Sequence, residues 1–352
     1  VGYTDTGKRR RRYVYGTTKT EILEQMARLR HAALTGALGE PTKLTVAEYL
    51  AHWLNTARTA LRESTTVLYE MMIRRHIAPA LGGVPPSKVS PAHLQGLLTD
   101  LERNGVGAAS RQVVFRVLHR ALQQALAWNL IVRNPASAVV RPRVPRKEMQ
   151  ALTPDQARQL LEAARGDRLY ALYCVLIGCG LRVGEALGLT WPDVDLERGT
   201  LTVRRQLCEV RGHLWLQEPK TAAARRTVAL PPFVAGALRA HQEQARTEGT
   251  LLNDNLLVFT DHNGGPLRKG NVRRRSFEPL LRRAGIPRIR LHDLRHSAAA
   301  LHLRQGTPAK VVQEMLGHST VGITLGLYAH VLPGMQQQAA ENLDRLLGET
   351  AG

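Results

Sequence analysis

Pro142 and Pro145 stand three apart inside a cationic run, AVVRPRVPRKEMQA, that also holds Arg141, Arg143, Arg146 and Lys147. Proline fixes its own φ and pushes the preceding residue out of the helical region, so this stretch is extended and builds no compact fold of its own. It divides the chain, and residues 138–151 read as a basic linker between two domains. A segment of this kind suits sequence-independent contact with a phosphate backbone.

Upstream of the linker the apolar spacing is helical throughout. Val46, Tyr49, Leu50, Trp53 and Leu54 share one face. Ser64-Thr65 is expected to cap a second helix through Val67, Leu68, Met71, Met72 and Ile77. Pro91 opens a third helix, Ala108 opens a long fourth one, and Asn134-Pro135 is expected to end it. Gly82-Gly83, Pro85-Pro86 and Asn104-Gly105 separate them, so residues 41–137 read as a four-helix bundle. Before it, Lys8 to Arg12 form an unbroken basic run that includes Arg9, Arg10, Arg11 and Arg12. A Tyr13-Val14-Tyr15 triplet then reads as strand, and a helix from about Thr20 carries Ile22, Leu23, Met26 and Leu29 on one stripe. Residues 1–40 are therefore either a small sheet-and-helix unit, whose first strand would have to precede Val1, or a basic tail.

The chain carries 49 Lys and Arg against 29 Asp and Glu, a formal charge of +20. Such a surplus favours a polyanionic partner, nucleic acid being the commonest, although an Arg-, Ala- and Leu-rich composition raises charge without one. No apolar run approaches the roughly 18 residues of a membrane span, and no secretory leader is visible, so a cytoplasmic protein is expected. Cys174, Cys179 and Cys208 show no CxxC spacing and read as reduced, buried thiols.

Downstream, Thr153-Pro154-Asp155 caps a helix, and Leu169 to Cys179 is apolar enough to be buried. Three short strands follow at Leu201–Leu207, through Leu214 and Leu216, and at Arg226–Leu230, with a fourth expected at Leu256–Thr260 and a basic helix opening at Arg273, Arg274 and Arg275. The fold class is thus multidomain and mainly α with small β-sheets: a helical bundle followed by a mixed α+β domain over residues 152–332. The tail, 333–352, holds a short amphipathic helix with Leu343, Leu346 and Leu347.

The chemistry concentrates in LHDLRHSAAALHLRQGTPAKVVQEMLGHSTVGITLGLY, from Leu291 to Tyr328. His292 and Arg295 are three apart and share a face if His292 opens the helix. Gly306 closes that helix, Thr307-Pro308 is expected to restart the chain as N-cap and N1, and Gly317 stops the next helix just before His318. A guanidinium fork matches two phosphate oxygens, an imidazole can serve a third, and a tyrosine hydroxyl can attack phosphorus. A capped, solvated helix start and a core tyrosine are the plainer alternative. Upstream, Arg182 in GCGLRVGEALGL has Glu185 at i+3, which is either a structural ion pair or a held functional arginine.

LHDLRHSAA followed by LGHSTVGITLGLYAH, with G-L-R-x-x-E upstream, resembles the tyrosine recombinase, or phage integrase, family. That resemblance implies six catalytic residues in order: Arg182, Lys220 in the EPKTAAARR hairpin, His292, Arg295, His318 and Tyr328, with Glu185 supporting Arg182. Lys220 alone would read as a solvated turn lysine. The bundle then resembles a core-binding domain, and the first forty residues resemble an arm-site DNA-binding domain. The expected activity is site-specific cleavage and rejoining of duplex DNA through a 3′-phosphotyrosyl link, integrating or excising a mobile element, with no nucleotide cofactor and no metal. The expected partners are DNA attachment sites, three further copies of the chain in a tetramer, and an accessory DNA-bending protein. Arg9 to Arg12, Arg141, Arg143, Arg146 and Lys147 are expected on DNA. Departures from the family pattern are Ala223 and Ala224 beside Lys220, and Gly326 and Leu327 before Tyr328. A type IB topoisomerase, a DNA-binding relative without catalysis, and a metal nuclease are the alternatives. His292 and His296 at i+4 lack a third ligand for zinc.

Overall fold

The computed structural model describes residues 14–34, 44–145, 150–219, 225–251 and 256–328, with isolated positions between 340 and 347. The side chains of 28–34, 323, 327 and 328 are likewise outside it. Arg9, Arg10, Arg11, Arg12, Arg146, Lys147 and Lys220 therefore lie outside the described residues, as does most of the tail from 333. The chain divides into two compact units, Val1–Arg146 and Lys147–Gly352. Among the described residues no helix is long and apolar enough to cross a membrane.

In the first unit, α1 (Lys19–Leu34) begins within a residue of its expected start. Val14 and Tyr15 form no strand, and Leu23 and Met26 of the expected stripe are exposed. The bundle is α2 (Val46–Ala57), α3 (Glu63–Met72), α4 (Ala78–Leu81), α5 (Pro91–Arg103) and α6 (Ala108–Ala127). Thr45 and Glu48 close a reciprocal capping box on α2, which satisfies donors that a helix start leaves open. Ser64 and Thr65 are not caps: Arg62 occupies that position, so both sit inside the first turn of α3. A π-helical turn, Ile73–Ile77, joins α3 to α4, and the five-residue step from Met72 to Ile77 brings both into the core. α6 ends at Ala127, earlier than expected, because Asn129 takes φ 58. Asn134 instead caps a 3-10 turn, Pro135–Ala138. Trp53 stacks on Tyr69, and the Tyr49 hydroxyl donates to the Ala121 carbonyl, so the core is pinned by shape and by one buried hydrogen bond.

The second unit is built around α8 (Tyr170–Gly178), whose residues from Ala171 to Gly178 are all buried. A helix apolar on every side must be surrounded. α7 (Pro154–Ala163), capped by Thr153 as expected, and α10 (Pro232–Thr247) are among its neighbours. Burial pushes the Cys174 thiol up to about 11 and Cys179 to about 12, so both are inert; Cys208 is only half-buried. After α9 (Val183–Leu187), strands β1 (Val194–Asp195), β2 (Thr200–Val203) and β5 (Arg226–Ala229) form one antiparallel sheet, ordered β1-β2-β5. β3 (Gln206–Val210) and β4 (His213–Gln217) form a separate hairpin. The strand expected at Leu256–Thr260 is replaced by two isolated bridges. Leu256 has φ 52, and Arg168 takes the Thr260 and Asp261 carbonyls that a ladder would use. α11 (Lys269–Asn271), a π-helical stretch Val272–Phe277 and α12 (Glu278–Arg283) turn Val272 and Phe277 inward and expose Arg273, Arg274 and Arg275. Then come α13 (Asp293–Arg304), α14 (Ala309–Leu316) and α15 (Val321–Tyr328). Pro308, not Thr307, is the N-cap of α14, since the Thr307 N–H turns back to the His302 carbonyl.

Candidate active site

Three arginines from three elements meet at the carbonyl end of α14. Arg226, the first residue of β5, donates through Nε to the Met315 carbonyl. Arg295, in the first turn of α13, donates through Nη2 to the Leu316 carbonyl at 2.6 Å. Arg182, at the N-cap of α9, reaches the Gly317 carbonyl through Nη2 at 3.4 Å. A helix C-terminus leaves its last carbonyls without internal partners, and cations there oppose the negative end of the dipole. Gly317 adopts φ 66, the left-handed turn that stops α14 and sets His318 directly after the three carbonyls.

A second set of bonds holds the arginines to one another. Glu185 is buried and accepts the Arg182 backbone N–H at 2.9 Å, Arg182 Nη1 at 2.6 Å and Arg226 Nη2 at 2.8 Å. Burial alone would raise its carboxyl; Arg226 and then Arg182 outweigh that and hold it below the usual carboxylate range. Arg295 Nη1 donates to the Gly180 carbonyl at 2.7 Å, two residues before Arg182. Gly180 has φ 62, and a Cβ there would lie 2.7 Å from Leu316 Cδ2, so the close approach of this turn to α14 needs glycine.

The histidines line up beside the arginines. His292 stands at the N-cap position of α13 without a side-chain capping bond, and its ring meets that of His296 edge to face at 5.0 Å between centroids. Burial, then His296, Arg295 and Lys269, bring His292 down to about 4. Burial, then Arg295 and Arg182, with His296 and Arg226 adding to them, bring His318 to about 4 as well. Both rings are therefore neutral at pH 7, each with one N–H and one lone pair. His318 Nδ1 is bonded to the Thr324 hydroxyl at 3.0 Å, and Gln313 donates its side-chain amide to the His318 carbonyl. Among the described residues no three His, Cys, Asp or Glu side chains are grouped as for a metal.

The structure thus brings together Arg182, Glu185, His292, Arg295 and His318. Tyr328 ends α15, with its side chain outside the described residues, and Lys220 lies outside them. Arg141 and Arg143 belong to the first unit and are exposed; Arg141 sits over the Phe115 ring at 5.5 Å. Sequence reasoning did not single out Arg226, Thr324, Gln313 or Lys269. Arg226 was recoverable, because strand alternation puts it on the same face as buried Val228.

Residues 150–335 match the model of the phage integrase family, and residues 45–101 match that of the phage integrase N-terminal SAM-like domain. A tyrosine recombinase XerC-like protein of Caldanaerobacter subterraneus subsp. tengcongensis is 29% identical over 370 aligned positions, covering 98% of this chain and 94% of that protein. A solved structure of part of the Tn1549 transposon integrase, in complex with a circular intermediate DNA, superposes with a TM-score of 0.73 at 23% identity, over 85% of this chain and 99% of that one. A lambda integrase tetramer bound to a Holliday junction gives 0.63 at 20% identity, over 92% and 89%. The chain belongs to the phage integrase family, tyrosine recombinases that cut and rejoin DNA strands at specific sites of mobile elements.

Proposed function

We propose that this recombinase cleaves duplex DNA at its attachment sites with Tyr328 as nucleophile. The observation that carries the assignment is the convergence of Arg182 and Arg295 on successive carbonyls beside His318. Their guanidiniums, with the His292 imidazole, are suited to the non-bridging oxygens of one phosphodiester, where negative charge builds as phosphorus becomes five-coordinate. Glu185 positions Arg182. The Tyr328 oxygen forms a bond to phosphorus as the bond to the 5′-oxygen breaks; the tyrosine proton passes to neutral His318 or to water, and Lys220 protonates the leaving 5′-oxygen. The 3′-phosphotyrosyl link conserves the bond, so a 5′-hydroxyl of a second strand can attack it and restore the tyrosine.

In this reading residues 41–137 grip one side of the duplex, 138–151 cross the backbone, 152–332 carry the chemistry, and four copies act on two sites; lambda integrase likewise binds a Holliday junction as a tetramer. Residues 1–40 contact distal sites through Arg9 to Arg12, and an accessory protein bends the DNA. The exposed cations Arg141 and Arg143 supply phosphate contacts together with Arg146 and Lys147.

The test is incubation with suicide duplexes carrying the element's own ends, in chelator, with products resolved on a denaturing gel beside Tyr328→Phe. A protein–DNA adduct in the wild type only is expected. Binding without adduct removes the catalytic assignment. Relaxation of a supercoiled plasmid without exchange between two sites moves it to a topoisomerase.

A further inference from the structure

Thr324 lies on α15, four residues and about one helical turn before Tyr328. Its side chain is fully buried, and its hydroxyl meets His318 Nδ1 at 3.0 Å. His318 in turn follows the turn whose carbonyls hold the arginines, and its own carbonyl is held by Gln313 from α14. One hydrogen bond therefore links the helix that carries the tyrosine to the residue at the centre of the cationic cluster. A neutral imidazole has two tautomers, and the partner of one ring nitrogen decides what the other presents.

We infer that Thr324 is a positioning residue for strand cleavage: its hydroxyl locks the orientation and tautomer of His318 and docks the tyrosine-bearing helix against the arginines. This rests on the assignment of His318 and Tyr328 to the reaction. If Thr324 donates to Nδ1, the proton of His318 sits on Nε2 and serves a phosphate oxygen. If it accepts from Nδ1, Nε2 keeps its lone pair for the tyrosine proton. In both cases one hydroxyl sets the angle of approach of the α15 face and the state of the group that meets it. A buried valine fills nearly the same volume and does neither.

The experiment compares wild type, Thr324→Val and Thr324→Ser, full length, in single-turnover adduct formation on suicide duplexes across pH 5 to 9, with duplex binding measured in parallel. Thr324→Val is expected to bind DNA as the wild type does and to form adduct more slowly, by roughly a hundredfold for a displacement near 1 Å. Thr324→Ser is expected to recover most of that rate. The ring 15N shifts of His318 supply a readout that packing alone would not move: a single neutral tautomer in wild type and in Thr324→Ser, an averaged mixture in Thr324→Val. An unchanged rate in Thr324→Val, or equal losses in both variants with an unaltered tautomer, overturns the inference while leaving the role of Tyr328 standing. No adduct from the wild type itself overturns the assignment of Tyr328, and this inference with it.

Discussion

Replacing Glu185 by glutamine removes one charge and almost no volume at the point where two arginines are tied together. Glu185 is 2% exposed, and its two oxygens accept three donors: Oε2 takes the Arg182 backbone N–H and Arg226 Nη2, and Oε1 takes Arg182 Nη1. The glutamine side chain keeps one oxygen. Placed at the Oε2 position it preserves two bonds and turns an amide N–H2 toward Arg182 Nη1, whose side chain is 37% exposed and can move to water. Arg226 has no such exit, its side chain being 6% exposed. The cost is then that of exchanging a charged acceptor of the buried Arg226 guanidinium for a neutral one, at the lower end of the range for broken buried pairs, about 3 kcal/mol. For a unit of this size that is a fall in Tm of roughly 6–12 °C at pH 7. The pH dependence has a definite sign. The Glu185 carboxyl titrates lower in the folded protein than its ordinary 4.5, so its stabilisation is complete above that value and is lost as pH falls through the depressed folded value. Calorimetry of wild type and Glu185→Gln from pH 7 downward checks both parts. A loss of less than about 2 °C at pH 7, or a gap that does not narrow in acid, refutes the reasoning.

Gly180→Ala places a Cβ at φ 62 and 2.7 Å from Leu316 Cδ2, so strain and overpacking together should cost about 2–4 kcal/mol and pull the Gly180 carbonyl away from Arg295; a Tm within error of wild type by calorimetry counts against it. Buried His318, held near 4 against an ordinary 6.5, stays neutral while the unfolded chain takes up a proton, so stability should fall between pH 6.5 and pH 4 by up to roughly 3 kcal/mol; urea titrations at stepped pH should show a shallower slope for His318→Asn.

The elements of this chain were legible where one periodicity or one helix-opening residue decides the outcome, as in α5 from Pro91 or α7 after Thr153-Pro154. They were not legible where two local signals compete. Ser64, Thr65 and Thr307 are all good caps by residue type, yet Arg62 and Pro308 hold those positions, and the Thr307 N–H is taken by the His302 carbonyl. The two π turns follow from buried pairs spaced by five, Met72 with Ile77 and Val272 with Phe277, a step that matches neither helical nor strand period. In the site, the pairing of Arg182 with Glu185 is local and could be read from i+3 spacing. Strand alternation could mark Arg226 as facing inward, but no short-range pattern says that it reaches the same carboxylate from a distant strand.

The anchorage of the arginines on the carbonyls of Met315, Leu316 and Gly317 divides the tasks of these three residues unequally. A carbonyl is supplied by every residue type, so the anchor points are insensitive to which side chain stands at 315 or 316, provided the helix and its packing persist. Gly317 is different, because φ 66 aims the last carbonyl and a β-carbon there carries a steric cost that glycine avoids and asparagine bears best. Sequence drift along α14 can therefore retune the surroundings of the cluster without displacing it, whereas the turn that ends the helix accepts a narrower set of residues. A library randomised at 315–317 should return varied apolar residues at the first two positions and glycine, with some asparagine, at the third.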